Sequence, residues 1–180
     1  MTRQITILVS ETTQLPEKII DYFKQFDFKL IGNESGSLKF SRSAALLDAW
    51  KTNPLKWGSE ISVSILNNNV IGNFYIDTDA QMNTREEKVV WQTFIENFEH
   101  YLKTGLSNNL KLNATIAESK KSRISYIGWS ILGALCGSLL SYVYNSQTQT
   151  SSTLGLLLIP ILASIFLVWR IRYSKIDNAL

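Results

Sequence analysis

This 180-residue sequence is poor in the residues that build catalytic and metal sites. It contains one cysteine, Cys136, and one histidine, His100. A single cysteine excludes a disulfide within the chain, and a single histidine excludes a metal site made of several histidines. The sequence also lacks a glycine-rich phosphate-binding loop, a Gly-x-Ser-x-Gly nucleophile motif and an HExxH zinc motif. We therefore predict that the protein is not an enzyme and uses no metal or cofactor.

Charged residues are absent from a long stretch toward the C-terminal end. Residues 124–169 contain no Lys, Arg, Asp, Glu or His in 46 consecutive positions. Because burying an unpaired charge in hydrocarbon costs several kcal/mol, such a stretch is typical of membrane spans. One helix of that length would extend about 69 Å, more than twice the ~30 Å of a bilayer core. We therefore predict two transmembrane helices, residues 124–144 and 151–169, joined by a short outside loop at residues 145–150.

Basic residues flank the predicted hairpin and are missing from its loop. Three stand directly before the first span, at the end of a linker and juxtamembrane segment at residues 106–123, and three follow the second span, in a tail at residues 170–180. Because segments rich in Lys and Arg stay in the cytoplasm, both termini are predicted to be cytoplasmic, with a bacterial inner membrane as the default location. The same six side chains are candidates for contact with lipid headgroups. They are Lys120, Lys121, Arg123, Arg170, Arg172 and Lys175.

Small residues recur on one face of the first predicted span. Gly133, Gly137 and Ser141 are spaced four residues apart, which places them on the same side of a helix. Such a stripe lets a second helix approach closely. Two partners fit it, namely the second span of the same chain or another copy of the protein.

The distribution of charge argues against nucleic-acid binding. Residues 1–112 contain 12 basic and 13 acidic residues, whereas residues 113–180 contain 6 basic and 2 acidic residues. The excess of basic charge therefore belongs to the predicted membrane part. A nucleic-acid-binding domain is expected to carry a clustered basic surface of its own. We predict membrane lipid and a protein partner, or self-association, and no nucleic acid.

Alternating apolar residues separated by turn residues predict an α+β domain over residues 1–105. The predicted elements are a strand at Gln4–Ser10, a helix at Pro16–Phe26, a hairpin of Phe28–Gly32 and Ser37–Ser41, and a second hairpin whose turn is Asn67–Asn69. Four apolar side chains of the first hairpin are expected to face the core. They are Phe28, Leu30, Leu38 and Phe40.

The clearest predicted helix covers Arg85–Lys103. Thr84 and Glu87 have the spacing of a capping box, and Gly105 stands where a helix ends. A continuous apolar stripe at helical spacing should face the sheet. Three of its rings are candidates for lining a ligand cavity beneath the helix, and they are Trp91, Phe94 and Phe98.

The predicted order of elements in the domain is β-α-β-β-β-β-α. In element order alone, this antiparallel sheet with helices resembles a TATA-binding-protein-like or helix-grip arrangement. No residue motif accompanies the resemblance, and a fold does not establish a function.

An insertion at Ala44–Gly58 interrupts the predicted strands. It contains Trp50 and Trp57 beside Lys51 and Lys56. These residues fit a patch that rests on lipid headgroups. The alternative, which we favour, is that both indoles cover the open end of the sheet.

Three functions fit the sequence. The first is a non-catalytic cytoplasmic interaction module that is anchored in the membrane, as an adaptor or a subunit of a membrane complex. The second is a binder of small apolar ligands or lipids, with a cavity in the α+β domain. The third is an oligomeric pore or membrane-perturbing protein built through the Gly133 and Gly137 face.

Overall fold

The computed structural model describes residues 1–9, 14–34, 36–43, 52–66, 68–78 and 84–148. The chain divides into two compact units, residues 1–119 and residues 120–180. Several predictions lie outside the described residues. They concern the span at residues 151–169, the tail with Arg170, Arg172 and Lys175, and the part of the insertion with Trp50 and Lys51.

Five strands form one antiparallel sheet in the first unit. They are β1 (Thr2–Leu8), β2 (Lys29–Glu34), β3 (Ser37–Arg42), β4 (Ser59–Leu66) and β5 (Asn69–Ile76). The order across the sheet is β1-β5-β4-β3-β2, and each neighbouring pair is antiparallel. The first strand therefore pairs with the last one, and the two predicted hairpins lie side by side. The predicted α+β fold with an antiparallel sheet is confirmed.

The described residues include three α-helices. They are α1 (Leu15–Gln25), α2 (Arg85–Thr104) and α3 (Asn109–Thr148), and a 3-10 helix covers Pro54–Lys56. At the start of α2 the Glu87 carboxylate accepts a hydrogen bond of 2.8 Å from the backbone N–H of Thr84, which completes the predicted capping box. Gly105 ends α2 with φ 74°, a conformation that glycine adopts without strain.

The core of the first unit lies on one face of the sheet. Inward-facing side chains alternate along the strands, and α1 and α2 cover them. The ring centroid of Phe23 on α1 lies 4.5 Å from that of Phe40 on β3, and Phe98 on α2 lies 6.3 Å from Phe74 on β5. Each fully buried side chain of this size contributes about 1.5–3 kcal/mol to stability.

Leu30 corrects one prediction for the first hairpin. It was expected in the core, but it is 41% exposed, whereas Phe28, Leu38 and Phe40 are buried as predicted. Leu30 pairs with Phe40, but β2 is an edge strand with no neighbour beyond it in the sheet. A register shift between Leu30 and Gly32 marks a bulge, which twists such an edge and leaves its side chains less covered.

Trp57 distinguishes the two interpretations of the insertion. Its side chain is 1% exposed and belongs to the core, which excludes contact of this residue with lipid headgroups and fits the favoured interpretation. The 3-10 helix before it explains the burial. Asn53 caps that helix, and the turn carries Leu55 and Trp57 into the core of the first unit.

The start of α3 belongs to the first unit. This helix begins inside the segment predicted as a linker, and Leu112 is fully buried while Ile116 packs against the core. Leu106 and Leu110 remain exposed. The segment after α2 therefore packs back on the domain in part, as its apolar residues predict.

A helix that crosses a bilayer must be both long and strongly apolar. No helix in the described part of the chain combines the length and the mean hydropathy that crossing a membrane requires.

Candidate functional site

The second half of α3 exposes a continuous apolar face. Six large side chains three or four residues apart lie on the same side of the helix, because that spacing matches the helical repeat. They form what we name the apolar face of α3: Ile124, Ile127, Ile131, Leu135, Leu139 and Tyr142. Each is exposed, from 41% for Ile127 to 76% for Tyr142. A row of apolar side chains of this length is unusual on a surface that faces water.

Three serines in the second half of α3 donate hydrogen bonds to carbonyls of the helix itself. Ser130 donates to the carbonyl of Tyr126 and Ser138 to the carbonyl of Ala134, both at 2.8 Å. A third serine, Ser146, donates to the carbonyl of Val143 at 2.8 Å. Serine side chains on a helix commonly bond to the carbonyl three or four residues earlier in this way.

The structure places the sequence-predicted headgroup contacts in two environments. Lys120 and Lys121 are exposed, whereas Arg123 is 5% exposed. Contact of these side chains with lipid headgroups stays a prediction. The stripe of small residues lies on α3 as expected, with Gly133 and Gly137 partly buried, while the side chain of Ser141 lies outside the description.

Aromatic rings fill the space around the three residues that were predicted to line a cavity. Trp91, Phe94 and Phe98 are at most 1% exposed. Phe94 lies 5.5 Å from Tyr22 and 5.6 Å from Trp91 between ring centroids, and Phe98 lies 4.9 Å from Phe23. The rings contact one another. Whether they accept a ligand stays a prediction.

Arg42, at the end of β3, joins three segments of the first unit. Its guanidinium donates hydrogen bonds to the carbonyls of Phe26, after α1, and of Leu55, in the 3-10 helix. It also lies 4.6 Å from the ring centroid of Phe28 and 3.9 Å from the carboxylate of Asp27. Carbonyls held by a planar cation are fixed in position, so Arg42 sets the geometry of this corner of the domain.

A network of asparagines fixes the corner between α2 and α3. The side chain of Asn97, which is buried, accepts a hydrogen bond from the N–H of Asn108 and donates one of 3.3 Å to Asn109. Nearby, Lys111 on α3 pairs with Glu96 on α2 at 3.2 Å. A hydrogen bond from Gln92, supported by Lys111, lowers the pKa of Glu96. The first turns of α3 are therefore held against α2 by polar contacts as well as by Leu112.

A pocket of about 300 Å³ lies where these two corners meet. The end of α1, the end of β3, the 3-10 helix and the first turns of α3 surround it, and it is lined by both polar and apolar side chains. Sequence reasoning missed this site. Two signals for it stand in the sequence, because Asn53 before Pro54 and Asn108 before an apolar helix are both helix-capping residues.

No group of three or more His, Cys, Asp or Glu side chains that could hold a metal ion occurs among the described residues. His100 is exposed on α2, as predicted. This chain matches no protein-family model, no curated protein and no solved structure. The function must therefore be argued from the geometry above.

Proposed function

We propose that this protein is a membrane-anchored, non-catalytic interaction module. In this proposal residues 1–105 work in the cytoplasm by binding a protein partner, and residues 124–169 cross the bilayer twice, with both termini in the cytoplasm. The apolar face of α3 is the observation that carries the proposal. It extends over about five helical turns, and its side chains are exposed. Such surface gains about 25 cal/mol per Å² on leaving water, so lipid is the medium that accommodates it.

Two further features support anchoring by this region. The uncharged stretch that contains the apolar face continues to Trp169, beyond the described residues. Lys120 and Lys121 are exposed just before it, where basic side chains gain about 1 kcal/mol each from anionic lipid. The absence of Lys and Arg from residues 145–150 supports the orientation with both termini inside.

The packing of the first unit favours protein binding over the binding of apolar ligands. A ligand pocket of the usual kind needs several hundred Å³ of apolar space. Beneath α2 that space is occupied by the rings of Tyr22, Phe23, Phe94 and Phe98. Opening it would mean separating rings that are packed at 4.9–6.1 Å, which costs several kcal/mol.

Extraction from vesicles tests the anchoring. We expect the full-length protein to stay in the membrane pellet after washing with alkaline carbonate. The double change Ile131→Lys with Leu135→Lys places two charges on the apolar face, at a cost of about 2.5–3.5 kcal/mol each in the centre of a bilayer, and should release a large share of the protein.

Leu110→Lys is the matched control, because Leu110 is an exposed leucine of the same helix outside the apolar face. That variant should remain in the pellet. Release of the unchanged protein by carbonate would overturn the anchoring proposal, and equal release of all variants would show that the apolar face does not contribute.

A further inference from the structure

The pocket between α1, β3, the 3-10 helix and α3 presents hydrogen-bond donors that are fixed in orientation. Asn53 accepts a hydrogen bond of 3.0 Å at Oδ1 from the N–H of Leu55. Because a backbone N–H can only donate, the oxygen of this amide is identified, and its NH2 group is the part that can serve another molecule.

The same reasoning fixes Asn109 on the opposite wall. The N–H of Asn108 donates to Oδ1 of Asn97, so the NH2 group of Asn97 is the donor to Oδ1 of Asn109. The NH2 group of Asn109 is then the end of its amide that can serve a ligand. Two asparagines from distant segments thus offer donors to the same pocket.

The charged side chains around the pocket favour a ligand that accepts hydrogen bonds. Lys56 and Arg42 line the pocket with positive charge, and Asp27 lines it with a carboxylate. Lys56 is exposed, while the Arg42 side chain is only 12% exposed and holds the walls together. The side chain of Asp27 is 84% exposed, so solvent screens its charge strongly. A negatively charged group with several acceptor atoms complements this set of donors and cations.

The size of the pocket limits what the group can belong to. About 300 Å³ is at the lower end of the volumes that hold small molecules and cofactors. One acidic side chain with a little flanking backbone fills such a volume. The apolar side chains of Phe26, Leu55 and Ile116 also line the pocket and can contact the aliphatic part of that side chain.

We infer that this pocket binds a glutamate or aspartate side chain from an acidic segment of a partner protein. The inference rests on the proposed function, and it names the chemistry of the partner. Asn53, Asn109 and Asn113 donate to the carboxylate, Lys56 supplies the charge, and Arg42 positions the walls. The amides of Asn53 and Asn109 are held before the partner arrives, which reduces the entropy cost of binding.

Peptide binding to the full-length protein in lipid nanodiscs tests the inference. The probe is a fluorescein-labelled peptide with two adjacent glutamates between Gly-Ser flanks, and its counterpart carries two glutamines. Fluorescence anisotropy should show that the glutamate peptide binds about tenfold more tightly, because a hydrogen bond to a charged group is worth that much or more. Lys56→Gln and Asn113→Asp should each remove most of this preference.

Lys39→Gln is the matched control, since it removes the same charge from an exposed position on β3. This variant should bind the glutamate peptide as tightly as the unchanged protein does. The thermal unfolding midpoint of each variant shows whether the domain remains folded. Asn113 is exposed on α3, so a change there adds a charge without removing a core contact.

Three results would overturn the inference. They are equal binding of both peptides, an unchanged preference in Lys56→Gln together with Asn113→Asp, and displacement of the peptide by inorganic phosphate at concentrations where sodium chloride of equal ionic strength has no effect. The last result would assign the pocket to a phosphate-bearing ligand. If the protein resists carbonate extraction and yet shows no preference for glutamate, this inference fails and the anchoring proposal stands.

Discussion

At the scale of single residues, the Arg42 guanidinium connects the segment after α1 with the 3-10 helix. We expect Arg42→Met to lower the free energy of unfolding by about 2–4 kcal/mol, because the carbonyls of Phe26 and Leu55 lose their donor. Urea unfolding followed by tryptophan fluorescence measures the change. Arg3→Met is the matched control, since Arg3 is exposed on β1, and it should change stability by less than about 0.5 kcal/mol. Equal stability of the two variants would contradict the role assigned to Arg42.

Tyr22 links the stability of the domain to alkaline pH. Its hydroxyl is buried and donates to the carbonyl of Phe94 at 2.9 Å. Burial raises the pKa of Tyr22 well above its usual range, and a hydrogen bond with Asn97 offsets this rise only in part. The phenol of the unfolded chain loses its proton near pH 10 while that of the folded chain keeps it, so stability falls as the pH rises above about 10.

Tyr22→Phe should lower the free energy of unfolding at pH 7 by about 1 kcal/mol and reduce its decline between pH 10 and pH 11. Urea titrations at the three pH values measure both effects. Tyr75→Phe, which changes an exposed tyrosine of β5, should leave the stability at pH 7 and the decline nearly unchanged. A decline in Tyr22→Phe as steep as in the unchanged protein would show that Tyr22 is not its source.

At the scale of elements, the two halves of α3 have different surroundings. The first turns pack against α2 through Leu112 and through the hydrogen bonds of Asn97. The second half exposes the apolar face of α3 and carries Gly133 and Gly137, which are partly buried. Gly128 lies on the same helix in open space, because a Cβ atom added there meets nothing within 4 Å. Gly128 can therefore serve as the control in a test of whether Gly133 and Gly137 pack against another helix.

We expect Gly133→Leu together with Gly137→Leu to lower stability in detergent by about 1–3 kcal/mol, because larger side chains keep a packed helix at a distance. Gly128→Leu should have no effect. The thermal unfolding midpoint gives the loss, and chemical crosslinking identifies the partner helix. Loss of a crosslinked oligomer would assign the stripe to a second copy, and an unchanged monomer would assign it to the second span. Equal midpoints for both variants would exclude helix packing at the stripe.

At the scale of the whole molecule, the orientation in the membrane decides where the pocket can meet a partner. We expect a cysteine at Gln147, in a chain that also carries Cys136→Ser, to react with an impermeant maleimide added to intact cells, because residues 145–150 are proposed to lie outside. A cysteine at Lys39 is the control and should react only after lysis. Labelling of the two positions in the opposite pattern would reverse the proposed orientation, and a partner would then meet the pocket outside the cell.

The sequence by itself determined α1, α2 and the two hairpins, because their signals are local, but it did not determine where α3 begins. Alternation with period two identifies β4 and β5, Thr84 with Glu87 begins α2, and Gly105 ends it. It also determined that one long stretch is uncharged, since this needs no knowledge of the fold.

Only the tertiary structure decided which side chains meet across segments far apart in the chain. The bulge in β2 exposed Leu30, the 3-10 helix buried Trp57, and Arg42 joined carbonyls 13 and 16 positions away. The pocket combines residues that lie as far apart in the chain as Gln25 and Ile116, so no local sequence pattern predicts it. Periodicity reports how one element divides its residues between core and solvent, whereas a binding site depends on how several elements pack, and packing follows from the summed contacts of the whole domain.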